Sequence, residues 1–593
     1  MLTRRAPLLA ALALAPLAAG AADVWVAGAT EKIRPDAKAR PATEASLEAA
    51  RNEFEAFQIV VTGRARQVSV EASVLAGAAG QIPPPKLYRA DLIDVGLPSA
   101  LDGATGRWPD ALVPDVDDVV GEKRNAFPFD VWDGESRAIW VEYHVPPGTK
   151  SAVYRGVVKV TTAEGEAVIP VKLSVWDFTL PSTSSLKTHF GLAYGTVSGG
   201  HKVWGDADSA LRARYGQLGL DHRISLSGVA DDGKHDDLGH FDRFYGPLVN
   251  GTAPTRLAGA RLTTVKFVGD PLSVDAQRAW AQHARAGGWL DRLFQYTCDE
   301  PELTCRWHEI SERARAAHAA DPELRTLVTT TIQEADAHGV SGDIDLLVPV
   351  VNYVDDKPGR ARAGDQRRAY DAFLADRRKE LWLYQSCMSH GCGGTVDMGS
   401  PNEWDQYSTG WPSYMIDASA VRNRAMEWIT FAEQASGELY WESAYAFPKD
   451  PWWSQYEFSG NGDGTLFYPG SPSRIGGATD VPVASIRLKM IREGMEDYEY
   501  LHAVAQAGDP ETARRLAREL FPSASETEVD AAKLMAVRRV LAERLLHLSG
   551  KEEPEDALAA VSGCASGRGT GGLALLALLP VLLLARLRRR RAR

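Results

Sequence analysis

Cysteine is scarce in this chain. Five occur in 593 residues, and no two stand in a C-x-x-C spacing, which disfavours a zinc cage. Basic charge is also short, with 66 Lys and Arg against 78 Asp and Glu, a net −12. Setting aside the first 22 residues (two Arg, no acid) and the last 30 (seven Arg, no acid) takes the body between them to −21. Such a body has no electrostatic footing on nucleic acid or on anionic glycans. No glycine-rich phosphate loop opens the long α/β stretch described below, which disfavours a nucleotide fold. No repeat of solenoid period is visible. Neither a metal nor a cofactor is expected. What remains is an ordinary globular composition, 45% apolar and 24% charged, in a chain too long for one core.

Both ends read as targeting segments. MLTRR followed by APLLAALALAPLAAG and a small-residue site near Ala21 reads as a signal peptide over residues 1–22, so export is expected. At the other end a Gly-rich stretch carrying Cys564 leads into an apolar run, Gly571–Ala585, and then RLRRRRAR. The run has 15 residues, short for a span needing about 20, and its Arg cluster sets the tail inside and the body outside. Cys, Gly-rich spacer, short hydrophobic segment and terminal Arg together resemble the C-terminal sorting tails of myxobacterial surface proteins. That resemblance implies processing near Cys564, with surface display through export and sorting machinery; the alternative is a plain single-pass anchor. Of the other cysteines, Cys298, Cys305, Cys387 and Cys392 are an even set in an exported chain and read as disulfides, with 298–305 and 387–392 the simplest of three pairings. His390, beside Cys392, reads as structural.

Residues 23–181 read as a β-sandwich. AIWVEYHV, VYRGVVKVTT and EAVIPVKLSVWDFTLP are rich in Val, Ile, Tyr and Trp and separated by turn signals, and NEFEAFQIVVTG alternates in the same way. Asp115, Asp117 and Asp118 read as a solvated turn rather than a calcium loop. From residue 182 to 507 strands and helices alternate, which predicts a parallel α/β fold and most economically a (β/α)8 barrel. SIRLKMIREGMEDYEYLHAVAQA (485–507) has apolar residues at helical spacing and is placed as the helix closing the barrel ring. Residues 508–549 continue as a helical extension, 550–570 as a linker, and 571–593 as the hydrophobic segment and tail.

The stretch YTCDEPE (296–302) puts Asp299 and Glu300 where a barrel strand gives way to its loop, the place where barrel enzymes carry catalytic groups. Asn352 and Glu442 hold similar positions. Tyr296, Tyr353, Trp404, Trp411, Trp441, Trp452 and Trp453 crowd the same loops, and aromatic faces cover the C–H face of a sugar ring while carboxylates take its hydroxyls. These residues, with Asn352 and Glu442, form the candidate substrate-binding set around the catalytic candidates Asp299 and Glu300.

Over nearly the whole body the chain resembles glycoside hydrolase family 123 and the related domain-of-unknown-function family 4091. The carrying stretches are ARNEFEAFQIVV, YTCDEPE, GELYWESAY, GDGTLFYPG and SIRLKMIREGMEDYEYL, the last being the most specific. The resemblance implies a β-sandwich before a (β/α)8 barrel and a retaining β-N-acetylgalactosaminidase acting on terminal N-acetylhexosamines. In that chemistry the substrate's own 2-acetamido oxygen attacks the anomeric carbon, so the two carboxylates need not straddle the bond. Asp299 then orients the acetamide and stays ionised, while Glu300 is the general acid, its proton favoured by the neighbouring charge. Two alternatives stay open: a glycosidase of the same fold on a sugar without an acetamido group, with Glu442 as the second carboxylate, and a surface glycan-binding protein without catalysis.

Overall fold

Two β-sheets are built first along the chain. The computed structural model describes residues 22–554 apart from 388–391, 393–395 and 397. The expected leader (all but its last residue), His390, Cys564 and the apolar run 571–585 lie outside the described residues. Among those described, no helix is long and apolar enough to cross a membrane. The first sheet has the order Asp23–Gly28, Glu53–Thr62, Ser136–Val145, Lys86–Val95, Gly106–Pro114, antiparallel throughout. The second runs Ala45–Arg51, Gly165–Thr179, Val153–Thr162, Ala65–Ala72, Phe129–Val131, with a short hairpin at one side. Ile59, Val141 and Tyr143 of the first sheet share one apolar cluster with Val158, Ile169 and Leu173 of the second.

The strand Glu53–Thr62 shows why its alternation is deceptive. Nine of its ten residues are buried, because the sheet is covered on both faces. One face meets the second sheet; the other, with Trp25, Val60 and Trp140, packs on Ile486 and Met490 of the long helix Ile486–Gln506. That helix carries sixteen consecutive buried residues, Ile486–Leu501. Its polar side therefore meets protein, not water, and every charge on it needs a partner. Arg487 pairs with Asp110, and both Lys489 and Arg492 pair with Glu142. Glu496 pairs with Arg223, and Asp497 with Arg424 and Arg538. Glu53 and Glu55 close the same network on Arg538.

The Asp115–Asp118 turn is partly buried. Asp117 accepts the backbone N–H groups of Val119, Val120, Gly121 and Glu122 and pairs with Arg124, which consumes the carboxylate inside the loop.

Seven parallel strands form the second half, in the order Lys187–Phe190, Gly437–Tyr440, Glu380–Tyr384, Leu346–Leu347, Arg325–Val328, Leu293–Cys298, Val265–Lys266. The first and last of these are bridged by an irregular segment: Phe190 N donates to Ser225 O at 2.9 Å and Lys266 N to Ser227 O at 3.1 Å. The result is a nearly closed parallel barrel. Its interior is filled by Phe294, Leu327, Leu346, Val348, Trp382 and Leu439, with Tyr296, Tyr353 and Tyr384 at the top. Several expected helices are shorter than their sequence pattern. Residues 367–380 form only short turns of helix to Leu374, and 418–435 give helix over Met426–Ala432 with a 3-10 turn before it. The helices Pro510–Leu520 and Ala531–Leu548 pack into the same core as the barrel, and the described residues 22–554 belong to one compact unit.

Candidate active site

Asp299 and Glu300 lie in the short loop between the strand Leu293–Cys298 and the helix Trp307–Ala320. The loop is tied at its base by the Cys298–Cys305 disulfide, and Cys387 and Cys392 form the second disulfide. Glu300 sits at φ 46° and Glu302 at φ 72°, left-handed values that cost a non-glycine residue about 1–3 kcal/mol and persist where surroundings enforce them. Here Leu303 N donates to Glu300 O at 2.9 Å, Glu302 N to Cys305 O at 2.6 Å, and the Thr304 hydroxyl to Asp299 O.

The two carboxylates are held by different groups. Asp299 is exposed, but its Oδ1 accepts from Tyr296 OH at 2.7 Å and from Thr329 Oγ1 at 2.8 Å. Glu300 is half-buried, and its Oε1 accepts from Tyr384 OH at 2.5 Å. Both tyrosines rise from the inside of the barrel, so the barrel's upper layer reaches up to the acid pair. Burial, the Asp299 charge and its hydrogen bond push the Tyr296 hydroxyl well above the usual phenol range, so it stays a donor. Beneath it, His189 meets the Tyr296 ring edge-on at 5.7 Å and bonds to Ser227. Burial, with Lys266 nearby, pushes His189 down to about 3, so a neutral ring supports the tyrosine at any working pH.

Thr329 is the joint of this arrangement. Its hydroxyl accepts from Glu300 N at 2.6 Å while donating to Asp299 Oδ1. One atom on the neighbouring strand's end thus fixes the backbone of one acid and the carboxylate of the other. Thr329→Val keeps the shape and removes both bonds. A fall in kcat of about tenfold to a hundredfold is expected from the misplaced acids, with KM moving much less, and urea unfolding should register the two lost bonds at about 1 kcal/mol each.

A cavity of about 410 Å³ opens beside Glu300, large enough for a sugar. Glu302, Thr329, Thr331, Tyr353, Arg362 and Tyr384 are among its lining residues. Arg362 pairs with Glu334 at 2.9 Å and lies over the Tyr353 ring.

Of the sequence candidates, Glu300 and Tyr353 line this cavity, and Asp299 and Tyr296 adjoin it through hydrogen bonds. Others sit elsewhere. Asn352 is buried and donates to Tyr407 OH at 2.7 Å. Trp411 is fully buried, its indole N–H on Tyr407 O. Trp452 packs against Tyr468 under Arg474. Trp404 and Trp453 are exposed, outside the cavity lining. Trp441 belongs to a separate aromatic group with Tyr445 and Phe458. Gly464 at φ 69° passes so near that a Cβ there would lie 2.3 Å from the Trp441 ring. Glu442 is buried, and both its oxygens are occupied: Oε1 accepts from Ser443 N and Ala444 N, Oε2 from Ala193 N at 2.8 Å. These carboxylate-to-amide bonds tie the end of the strand Gly437–Tyr440 to the loop after Lys187–Phe190. Burial raises its pKa, against the pull of those amides.

Sequence reasoning missed Tyr384 and Thr329. Tyr384 was legible: in ELWLY, Trp382 and Tyr384 share one face of a strand, and the last inward residue of a barrel strand meets the mouth. Thr329 had no such signal, being one of three successive threonines.

A parallel barrel with neighbouring carboxylates beside a sugar-sized cavity is an arrangement of barrel glycoside hydrolases. Residues 403–504 match the sequence model of the glycoside hydrolase 123 catalytic domain; this stretch includes most of the long buried helix and begins after the acid pair. The structure superposes on a family 123 glycoside hydrolase from Clostridium perfringens, described for glycolipid glycan hydrolysis, with a TM-score of 0.62 and 11% identity over 92% of this chain and 100% of that one. At that identity the likeness is one of fold. A Parabacteroides merdae β-glucuronidase (10% identity, TM-score 0.23, 74% of this chain and 50% of that one) and an Eisenbergiella tayi β-galacturonidase (10%, 0.26, 81% and 73%) align far more loosely. No curated protein sequence matches. The family match and the fold together support glycoside hydrolase activity.

Proposed function

We propose that this protein is an exported, surface-displayed retaining glycoside hydrolase with a β-sandwich and a (β/α)8 barrel. It removes terminal β-linked N-acetylhexosamine, in the manner of a β-N-acetylgalactosaminidase, with the substrate's acetamido group as nucleophile. The observation that carries this reading is the division of labour among the acids. Glu442, the alternative second carboxylate, is consumed by three backbone amides, whereas Asp299 and Glu300 stand side by side on one loop at the barrel mouth.

In the first step the acetamide oxygen attacks C1 as the glycosidic C–O bond breaks, and Glu300 gives its proton to the departing oxygen. Asp299, with both hydroxyl donors on Oδ1, offers Oδ2 to the acetamide N–H and offsets the positive charge growing there. In the second step Glu300, now ionised, takes a proton from water as that water attacks C1. The ring opens to regenerate the acetamide, and the β-configuration is kept. Tyr384 holds Glu300 in position through both steps.

Hydrolysis of a panel of aryl β-glycosides tests this reading. Cleavage of the N-acetylgalactosaminide and N-acetylglucosaminide, inhibition by a thiazoline mimic of the cyclised intermediate, and little turnover of the plain galactoside are expected. Equal rates on the plain galactoside would rule out acetamide assistance. Retention of a glycan with no product released would assign a binding role instead.

A further inference from the structure

The strand Leu293–Cys298 breaks its own alternation just before the acid pair. Phe294 and Tyr296 pack inside the barrel, and Leu293 packs in the outer core. Strict alternation would send Cys298 inward and Asp299 outward. Instead the pairing with Arg325–Val328 shifts register between Tyr296 and Cys298, which leaves Thr297 as an extra residue. Cys298 then joins Val328, Cys305 and Ile310 in the outer core, and the Asp299 carboxylate lands on Tyr296 OH and Thr329 Oγ1. A bulge of this kind re-aims the side chains that follow it. The loop beyond it has little packing of its own. None of the side chains from Asp299 to Thr304 is buried, yet Glu300 and Glu302 both sit in left-handed conformations. The buried anchors are Cys298 and Cys305, 2% and 6% exposed and bonded to each other.

We propose that the Cys298–Cys305 disulfide is a redox-controlled positioning element for the acid pair, and that opening it stops turnover while the fold persists. This rests on the glycosidase reading above. Closed, the bond holds Cys298 on the outer side of the barrel wall, which aims Asp299 at Tyr296 and seats Glu300 N on Thr329. Opened, Cys298 is free to follow the strand's alternation, and both acids lose their aim. The opening is a two-electron exchange with a dithiol. One thiolate of the reagent attacks a disulfide sulfur, forms a mixed disulfide and releases the other cysteine, which takes a proton. The reagent's second thiolate displaces the remaining cysteine, which takes the second proton, and the reagent leaves as a cyclic disulfide.

The test poises the full-length protein at graded ratios of reduced to oxidised dithiothreitol. Turnover of an aryl β-N-acetylhexosaminide, the reduced fraction of Cys298 and Cys305 (by alkylation and peptide mass) and tryptophan fluorescence are followed together. A fall in kcat of about tenfold to a hundredfold is expected, in proportion to the reduced fraction at 298 and 305. KM should move little, fluorescence should stay native, and re-oxidation should restore the rate. A Cys387→Ala/Cys392→Ala variant should keep this response. A Cys298→Ala/Cys305→Ala variant should start at the lowered kcat and show no response. Unchanged turnover with Cys298 and Cys305 reduced overturns the proposal. So does a loss of turnover that comes only with loss of native fluorescence, which would make the bond a plain stabiliser. If the oxidised protein turns over no aryl glycoside, the enzymatic reading falls, and hydrogen exchange decides the positioning role by itself. The Glu300 and Glu302 amides, bonded to Thr329 Oγ1 and Cys305 O, should exchange about tenfold faster in the reduced protein; equal exchange overturns the proposal.

Discussion

Glu300→Gln lowers kcat on an aryl β-N-acetylhexosaminide by about 10²–10⁴-fold, the range that general acid–base catalysis supplies. The substitution keeps the shape of the side chain and leaves an amide oxygen to accept from Tyr384 OH, which bonds Glu300 Oε1 at 2.5 Å. On the proposed mechanism it removes the proton for the leaving oxygen and the base for the incoming water. The loss should therefore depend on the leaving group. A nitrophenolate that departs without a proton recovers most of the first step, and the remaining slow step is attack of water. Asp299→Asn is expected to lower kcat too, but with no such dependence, because on the proposed mechanism it removes charge opposite the acetamide nitrogen. Rates on two substrates of differing leaving-group acidity separate the roles. An identical leaving-group profile for both variants would sink the assignment of Glu300 as the acid.

Glu142→Gln destabilises the fold by about 3–5 kcal/mol, the cost of breaking a buried charge pair by removing one partner. Glu142 belongs to the first sheet, yet its carboxylate receives Arg492 at 2.5 Å and Lys489 at 2.9 Å from the long helix, and Arg256 at 2.7 Å from the barrel half. Removing its charge leaves three cations buried or half-buried without their shared anion. Urea unfolding measures the loss. A change under about 1 kcal/mol, the size of a surface pair, would show that this junction is not where the halves are held together. The pH dependence has a definite sign. Burial alone would raise the Glu142 pKa, but Arg492, Lys489 and Arg256 hold it well below the ordinary carboxylate range. A depressed folded pKa means a contribution that is full above the unfolded carboxylate value and lost as pH falls below it. The parent protein should lose stability below about pH 4.5, and the Gln variant should lose less over the same interval.

The strand and helix order of both halves was legible because it is written in local periodicity. Alternation in VYRGVVKVTT and the recurrence of strand and helix after residue 182 reflect which face is buried, and the position of Asp299 and Glu300 was legible because a strand of known direction ends just before them. The local disulfide pairing was also within reach, since 298–305 and 387–392 are close along the chain. Less was legible where burial came from distant segments. The pattern of Glu53–Thr62 reads as half-exposed, and SIRLKMIREGMEDYEYL reads as amphipathic. Each is buried on its second face by the other, with Glu55, Glu142, Lys489 and Arg492 placed in the contact.

The same division holds at the site. Residue type and loop position picked out Asp299, Glu300, Tyr296 and Tyr353. They also picked out Asn352, Trp411 and Glu442, which the fold spends on packing and backbone hydrogen bonds. Sequence by itself determined where strands end and which chemical groups stand there, because both follow from neighbours a few residues away. Only the tertiary structure decided which of those groups face a cavity and which are consumed in the interior. That choice depends on partners contributed by other strands, such as Thr329 and Tyr384 for the acids and Ala193 for Glu442. A hydrogen bond forms where two distant segments are brought within about 3 Å, a distance no local pattern encodes.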